Sequence, residues 1–450
     1  MANARDIALN VLLTWQRTGT YPDQLLREGL GKDRLMSSAD RALSFQLVYG
    51  VLRWLGKLDW ILRPFSNRPL NKLSPKTLMI LRLGAFQLLF LSRIPPSAAV
   101  NESVKLAKTG RAKWTAPYVN AVLRSLERGK EALPAPSREE PVSYLSIQYA
   151  HPSWLVQQWV GDWGAERAEA FCQADNQIPP LVLRTNTLKT DRPQLLKDLQ
   201  AKGLQAVPTC FSTEGIRIED PDHPLVQDDL FRKGLFQIQD EASQLITYML
   251  NPCPGERVLD LCAGAGGKAT HLAQRMHNQG EILSVDLHRQ KIASLENNAR
   301  RLGIRIIRGI TGDGLGNSLF PETVRSFDRV LIDAPCSGWG VIRRNPDLKW
   351  RLKPEDGTRL AAMQNKFLQN GARWLKSKGI LVYATCTLNR VENQEVVENF
   401  LGHHPDFSLE DISPFMSDSA KGLVDSEGYY HTWPPEHGTD GFFAARLRKK

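Results

Sequence analysis

The stretch RVLDLCAGAGGKATHLA, residues 257–273, carries an apolar, strand-like run into Cys262 and a glycine-rich loop, and a helical pattern begins where the loop ends. Four more runs of the same kind follow it: EILSVDL (281–287), RIIRGITGD (305–313), FDRVLIDAP (327–335) and ILVYATC (380–386). Helical stretches separate them. Short apolar runs alternating with helices indicate a parallel sheet covered on both faces, so the C-terminal half is expected to be an α/β, doubly wound, Rossmann-like domain. Ligands of such sheets bind at the carboxyl ends of the strands. Each run here ends in a polar or reactive group: Cys262 with the glycines, Asp286, Asp313, Asp333 to Cys336, and Cys386. These five ends are expected to meet in one crevice.

The rest of the chain differs from this domain. A chain of 450 residues exceeds one ordinary core, which suggests a multi-domain protein. Residues 1–140 read as all-α: SADRALSFQLVYGVLRWLGKLDWIL (38–62) and SPKTLMILRLGAFQLLFL (74–91) repeat apolar residues at helical spacing, with Ser38 or Asp40 and Ser74 as candidate N-caps. Residues 141–235 mix short strands and helices as a small α+β module, and residues 236–450 form the Rossmann-like domain. Over residues 1–140 there are 22 Lys and Arg against 11 Asp and Glu, whereas the remainder is nearly balanced, 36 against 37. A localised basic surplus suits RNA binding through phosphate neutralisation, and equally suits a solubilising surface. Lys105, Lys108, Arg111, Lys113, Arg124 and Arg128 crowd its last helices and are the candidate RNA contacts. Arg184 and Asn186, in PLVLRTNT (180–187), could face RNA from a strand, or simply stand on its solvated side.

No run of eighteen apolar residues suggests a membrane span, and the N-terminus reads as an amphipathic helix rather than a signal peptide. A cytoplasmic protein is expected. Six cysteines without a CxxC pair indicate neither a zinc site nor a disulfide framework, so no metal is expected.

The glycine loop lets backbone approach a ligand closely, and Asp286, 22 residues after Gly264, stands where an acid could hold the hydroxyls of an adenosine ribose. That arrangement serves NAD and S-adenosylmethionine equally. A dehydrogenase needs a proton relay for its carbonyl, yet the strand ends offer acids and two thiols. Methyl transfer to carbon 5 of a pyrimidine needs a thiolate that adds to carbon 6, because carbon 5 is otherwise not nucleophilic. Two strand-end cysteines meet that need, and Asp333 could bond N3 and the exocyclic amine of the ring.

LDLCAGAGGKATHLA, DAPCSGWGVIRRNPDLKW, YATCTLNRVENQEVV and the terminal DGFFAARLRK resemble successive motifs of the Sun family of RNA cytosine-5 methyltransferases. The basic helical N-terminus is similar to the NusB-like domain that marks the family's B branch, whose members act on RNA of the small ribosomal subunit. The resemblance implies S-adenosyl-L-methionine as cofactor and 16S rRNA, before or during small-subunit assembly, as substrate for a monomer. It implies that Cys386 attacks, that Cys336 assists product release, and that Asp333 lies near methyl donor and target base. It assigns cofactor binding to Cys262, Ala263, Gly264, Ala265, Gly266, Gly267 and Lys268, with Asp286 on the ribose and Asp313 near the adenine. Ala265 stands where proline is common, and Lys291 where arginine is common. Arg343, Arg344 and Lys349, beyond the reactive loop, are implied to form a phosphate clamp. Two rivals remain: methyl transfer to an exocyclic amine of RNA, and an antitermination-like RNA-binding protein with an inactive methyltransferase domain.

Overall fold

The computed structural model describes residues 3–31, 36–133, 135–219, 225–316 and 327–450, with backbone alone at 110–112. Two compact units emerge: Met1–Gln177 with Ile342–Pro354, and Ile178–Val341 with Glu355–Lys450.

The first unit is helical. Its long helices Ser38–Leu62 and Pro75–Phe90 start at side-chain caps, with Ser74 accepting from the Thr77 amide at 3.1 Å. Ser37, one residue ahead of the expected candidates, caps the former by accepting from the Asp40 amide. Asp40 instead accepts a hydrogen bond from the Ser37 hydroxyl, 2.8 Å away. The apolar stripes of these helices form one core with Leu12, Val100 and Leu123. Gly50 permits close approach there: a Cβ on it would lie 1.9 Å from Phe86 Cζ. The helices Pro141–Gln148, Ser153–Trp163 and Ala165–Asp175 belong to this unit as well.

So does the segment Ile342–Pro354, cut from the middle of the Rossmann-like sequence. Arg53 Nη2 donates to the Arg343 carbonyl at 2.7 Å, and Trp350 Nε1 donates to the Leu52 carbonyl at 2.6 Å. The expected phosphate clamp needs correction here. Lys349 is fully buried, with Nζ 3.5 Å from both His151 Nε2 and Asn176 Oδ1, and burial pushes its pKa down to about 7. Arg343 is also buried. Neither cation can meet a phosphate without unpacking the segment.

The second unit holds two sheets. The smaller one comprises β1 (Leu181–Thr185), β2 (Gln205–Pro208), β3 (Gly215–Glu219) and β4 (Phe236–Ile238), all antiparallel in the order β2-β3-β1-β4. The larger comprises β5 (Arg257–Asp260), β6 (Glu281–Asp286), β7 (Ile307–Thr311), β8 (Phe327–Asp333), β9 (Leu375–Thr385), β10 (Phe407–Glu410), β11 (Tyr430–Thr432) and β12 (Phe442–Lys449). Its order is β10-β12-β9-β8-β5-β6-β7, with β11 also paired to β12. Strands β7-β6-β5-β8-β9 are parallel, and β12 runs antiparallel beside β9. The chain moves outward from β5 to β7 and then crosses back to β8 on the other side of β5. That reversal opens a crevice at the carboxyl ends of β5 and β8.

Arg184 and Asn186 face neither RNA nor water; both are fully buried. Arg184 donates to Gln239 Oε1, to the Gly267 carbonyl at 2.6 Å and to Thr270 Oγ1 at 3.0 Å. Asn186 Nδ2 donates to the carbonyls of Gly234 and Leu302 at 2.7 and 2.9 Å. Acceptors for both terminal nitrogens offset much of the cost of burying the guanidinium, and they tie β1 to the helix Gly267–Arg275 behind the glycine loop.

Candidate active site

The glycine loop leaves β5 and turns at Gly264 and Gly266, whose φ angles are +54° and +83°. A Cβ at Gly266 would also sit 2.7 Å from Leu295 Cγ, so both conformation and space demand glycine there. A Cβ at Gly264 would meet open space, which leaves that backbone accessible to a ligand. Asp286, at the end of β6, accepts from the Gly264 amide at 3.0 Å and from the His288 amide at 2.9 Å. Each of its oxygens keeps a second lone pair for another donor. Lys291 Nζ lies 3.7 Å from the same carboxylate. The Gly312 amide donates to the Asp286 carbonyl, which brings the turn carrying exposed Asp313 beside this corner.

Lys268 points across the crevice, with Nζ 2.7 Å from Asp333 Oδ2 and 5.0 Å from the centre of the Phe442 ring. Cys262 packs against the core at the base of the loop, and burial pushes its thiol well above the usual thiol range.

The two cysteines at the ends of β8 and β9 meet. Cys336 Sγ and Cys386 Sγ are 3.3 Å apart, well beyond the ~2.05 Å of a disulfide, and both are free thiols. The hydrogen bond with Cys386, reinforced by burial, raises the Cys336 pKa well above the usual thiol range. Cys336 is thereby held in its thiol form, and either sulfur of the pair can be the donor.

A polar cluster fixes both loops. Glu392 is fully buried and accepts from the Ser337 amide at 2.8 Å, from Gln364 at 3.1 Å and from Asn389 at 3.1 Å. Ser337 Oγ and Thr387 Oγ1 are 2.8 Å apart, and Asn393 donates to the Thr387 carbonyl at 2.9 Å. Sequence reasoning gave Glu392, Gln364 and Asn393 no role. For Glu392 and Asn393 the signal available was an acid and three amides crowded into NRVENQ, residues 389–394, shortly after a reactive strand end; Gln364 lies outside that stretch and carried no local signal.

Asp260 was also missed. It is the last residue of β5, almost fully buried, and no hydrogen bond of ordinary geometry reaches its carboxylate oxygens. Burial, then repulsion from Asp333, raises its pKa from 3.8 to about 7, and Lys268 and the Cys262 amide offset only part of this. Leu287, next to Asp286, is 64% exposed and offers an uncovered apolar face.

The charges decide which ligand fits. Asp260, Asp286 and Asp333 outnumber Lys268 and Lys291. With Lys268 on Asp333 and Lys291 beside Asp286, the excess rests on Asp260, part neutral near pH 7; the ammonium of S-adenosyl-L-methionine would draw it into its charged form, whereas the pyrophosphate of NAD would oppose its ionisation. Orphaned Asp260 supplies a partner for a cationic group, and Asp286 supplies acceptors for ribose hydroxyls.

Of the six candidate RNA-contact cations near the end of residues 1–140, Lys105 and Arg124 form ion pairs with Glu102 and Glu127. Lys108, Lys113 and Arg128 are exposed, and the Arg111 side chain lies outside the described residues.

Comparison with known proteins agrees with this architecture. The family model for 16S rRNA methyltransferase RsmB/F matches residues 247–448, the NusB family model residues 2–128, and the model of the RsmF/B-like ferredoxin-like domain residues 151–224. The probable ribosomal RNA small subunit methyltransferase B of Bacillus subtilis is 39% identical, covering 100% of this chain and 99% of its own. The ribosomal RNA small subunit methyltransferase B of Klebsiella pneumoniae is 35% identical over 92% of this chain and 91% of its own. The crystal structure of PH0851 superposes with a TM-score of 0.83 at 25% identity, covering 99% of this chain and 98% of that one. With the crevice, its acid excess and three matching domain models in agreement, this chain belongs to the 16S rRNA methyltransferase RsmB/F family, S-adenosyl-L-methionine-dependent enzymes that act on ribosomal RNA.

Proposed function

We propose that this chain methylates carbon 5 of a cytosine in 16S rRNA, through a covalent bond between Cys386 Sγ and carbon 6 of the ring. The observation that carries the proposal is the thiol pair at the ends of β8 and β9, 3.3 Å apart, in a crevice suited to a cationic cofactor. Methylation of an exocyclic amine has no use for two thiols in contact. The enzyme acts as a cytoplasmic monomer on rRNA before or during assembly of the small ribosomal subunit.

In this scheme Asp286 would hold the ribose, Asp260 would meet the methionine ammonium, and Leu287 would cover the purine. When bound, S-adenosyl-L-methionine would supply an electrophilic methyl group with a neutral thioether as its leaving group. Cys386 adds to carbon 6 as the thiolate, and the displaced electron pair makes carbon 5 nucleophilic. Asp333, held by Lys268, accepts from the exocyclic amine and from N3 once that atom is protonated in the adduct. Transfer of the carbon 5 proton to water restores the ring double bond and expels the Cys386 thiolate. Cys336 assists this release.

Release of the carbon 5 hydrogen provides the test. With 16S rRNA carrying 5-tritiated cytosine, each methyl group transferred should liberate one tritium into water. Methylation with full retention of tritium would sink the carbon 5 assignment.

A further inference from the structure

We propose that Trp114 is a stacking platform for an unpaired base of the rRNA substrate, a residue that sets RNA affinity from the helical unit. The chain holds eleven tryptophans, and all but this one are buried or half-buried. Trp114 is 71% exposed. It lies in the turn Gly110–Thr115 between the helices Pro96–Lys108 and Ala116–Gly129. The two residues that follow it, Thr115 and Ala116, are almost fully buried, and the Ala116 amide donates to the Lys113 carbonyl. The backbone is anchored while the indole stands in water.

Its surroundings are cationic. Lys113 precedes it and is exposed, Lys108 is exposed at the end of the preceding helix, and Lys76 reaches this corner by donating to the Thr109 carbonyl at 2.7 Å and to its hydroxyl at 2.9 Å. From Val104 to Thr115 the sequence contains no acid. An isolated exposed leucine needs no explanation, but an exposed indole among lysines has the composition of a single-strand binding surface. The ring takes a base face, and the ammonium groups take the flanking phosphates. Charge complementarity favours RNA over an apolar protein partner.

The inference rests on rRNA being the substrate, and the experiment separates the two. Binding and methylation of naked 16S rRNA are measured for the full-length wild type and for Trp114→Ala, Trp114→Phe and Lys113→Ala. Trp114→Ala should weaken RNA binding and raise KM about ten-fold, with kcat and S-adenosyl-L-methionine affinity unchanged. Trp114→Phe should recover most of the loss. The slope of log affinity against log salt should stay at the wild-type value in Trp114→Ala, because a neutral ring releases no counterions, and should fall by about one in Lys113→Ala. Wild-type affinity in Trp114→Ala overturns the proposal. A loss seen only with ribosomal-protein-containing particles, and not with naked RNA, also overturns it and assigns the surface to a protein. Failure of the wild type to bind or methylate rRNA would instead remove the substrate assignment on which it rests.

Discussion

Asp260→Asn isolates the electrostatic logic of the cofactor site. The wild-type carboxyl is buried without an ordinary hydrogen bond and its pKa is raised to about 7 from 3.8. A carboxyl whose folded pKa is raised contributes its full stability below the unfolded value and loses it as pH rises through the folded one. The cofactor-free wild type should therefore lose stability relative to Asp260→Asn from pH 4 upward, at ~1.4 kcal/mol per pH unit, and the gap should level off above pH 7 near ~4 kcal/mol. Urea unfolding of both proteins between pH 4 and 8.5 measures it. The same substitution removes the partner for the cofactor's ammonium, so affinity at pH 8 should fall about ten-fold or more, by the worth of a charge-assisted hydrogen bond. Wild-type binding near pH 7 should release protons, visible in calorimetry as a heat that varies with buffer ionisation enthalpy. A stability difference that ignores pH would mean that folding leaves the Asp260 pKa where it was, and would remove its displaced ionisation from the account of the cofactor site.

Three further substitutions probe other parts of the site. Asp286→Ala should weaken S-adenosyl-L-methionine binding by ~2 kcal/mol or more while leaving RNA affinity alone, checked by calorimetry and filter binding. Glu392→Ala strands the donors of Ser337, Gln364 and Asn389, and should lower stability by ~2–4 kcal/mol and kcat together, measured by chemical unfolding and methyl-transfer assay. Arg184→Met leaves the Gly267 carbonyl and Thr270 hydroxyl without that donor, and should cost ~2–4 kcal/mol and weaken cofactor binding through the displaced loop, measured by the same unfolding experiment and by calorimetry.

The strand ends were legible because their signal is local. An apolar run that stops at an acid or a cysteine states both the strand and the group it delivers, so Asp286, Asp333, Cys336 and Cys386 could be read directly. Polar residues inside the fold were not legible. Arg184 looks like a solvated strand position until the Gly267 carbonyl, 83 residues away, arrives to accept from it. Lys349 reads as a phosphate ligand because its segment follows the reactive loop, yet the segment packs in the helical unit and buries its charge. Asp260 hides within a strand-like run, and only burial and the nearby Asp333 reveal that its pKa is displaced. The cap of the helix Ser38–Leu62 fell one residue early because Ser37 and Ser38 are alike in chemistry, and only backbone geometry tells them apart.

The covalent scheme meets its sharpest test in denaturing electrophoresis of the two single-cysteine variants with ordinary 16S rRNA and S-adenosyl-L-methionine. Cys386→Ala should form no covalent complex and transfer no methyl group. Cys336→Ala should still attack and methylate, but release slowly, and so migrate as a protein–RNA adduct that survives denaturation. Adduct from Cys386→Ala and none from Cys336→Ala would reverse the roles of the two thiols and overturn the scheme.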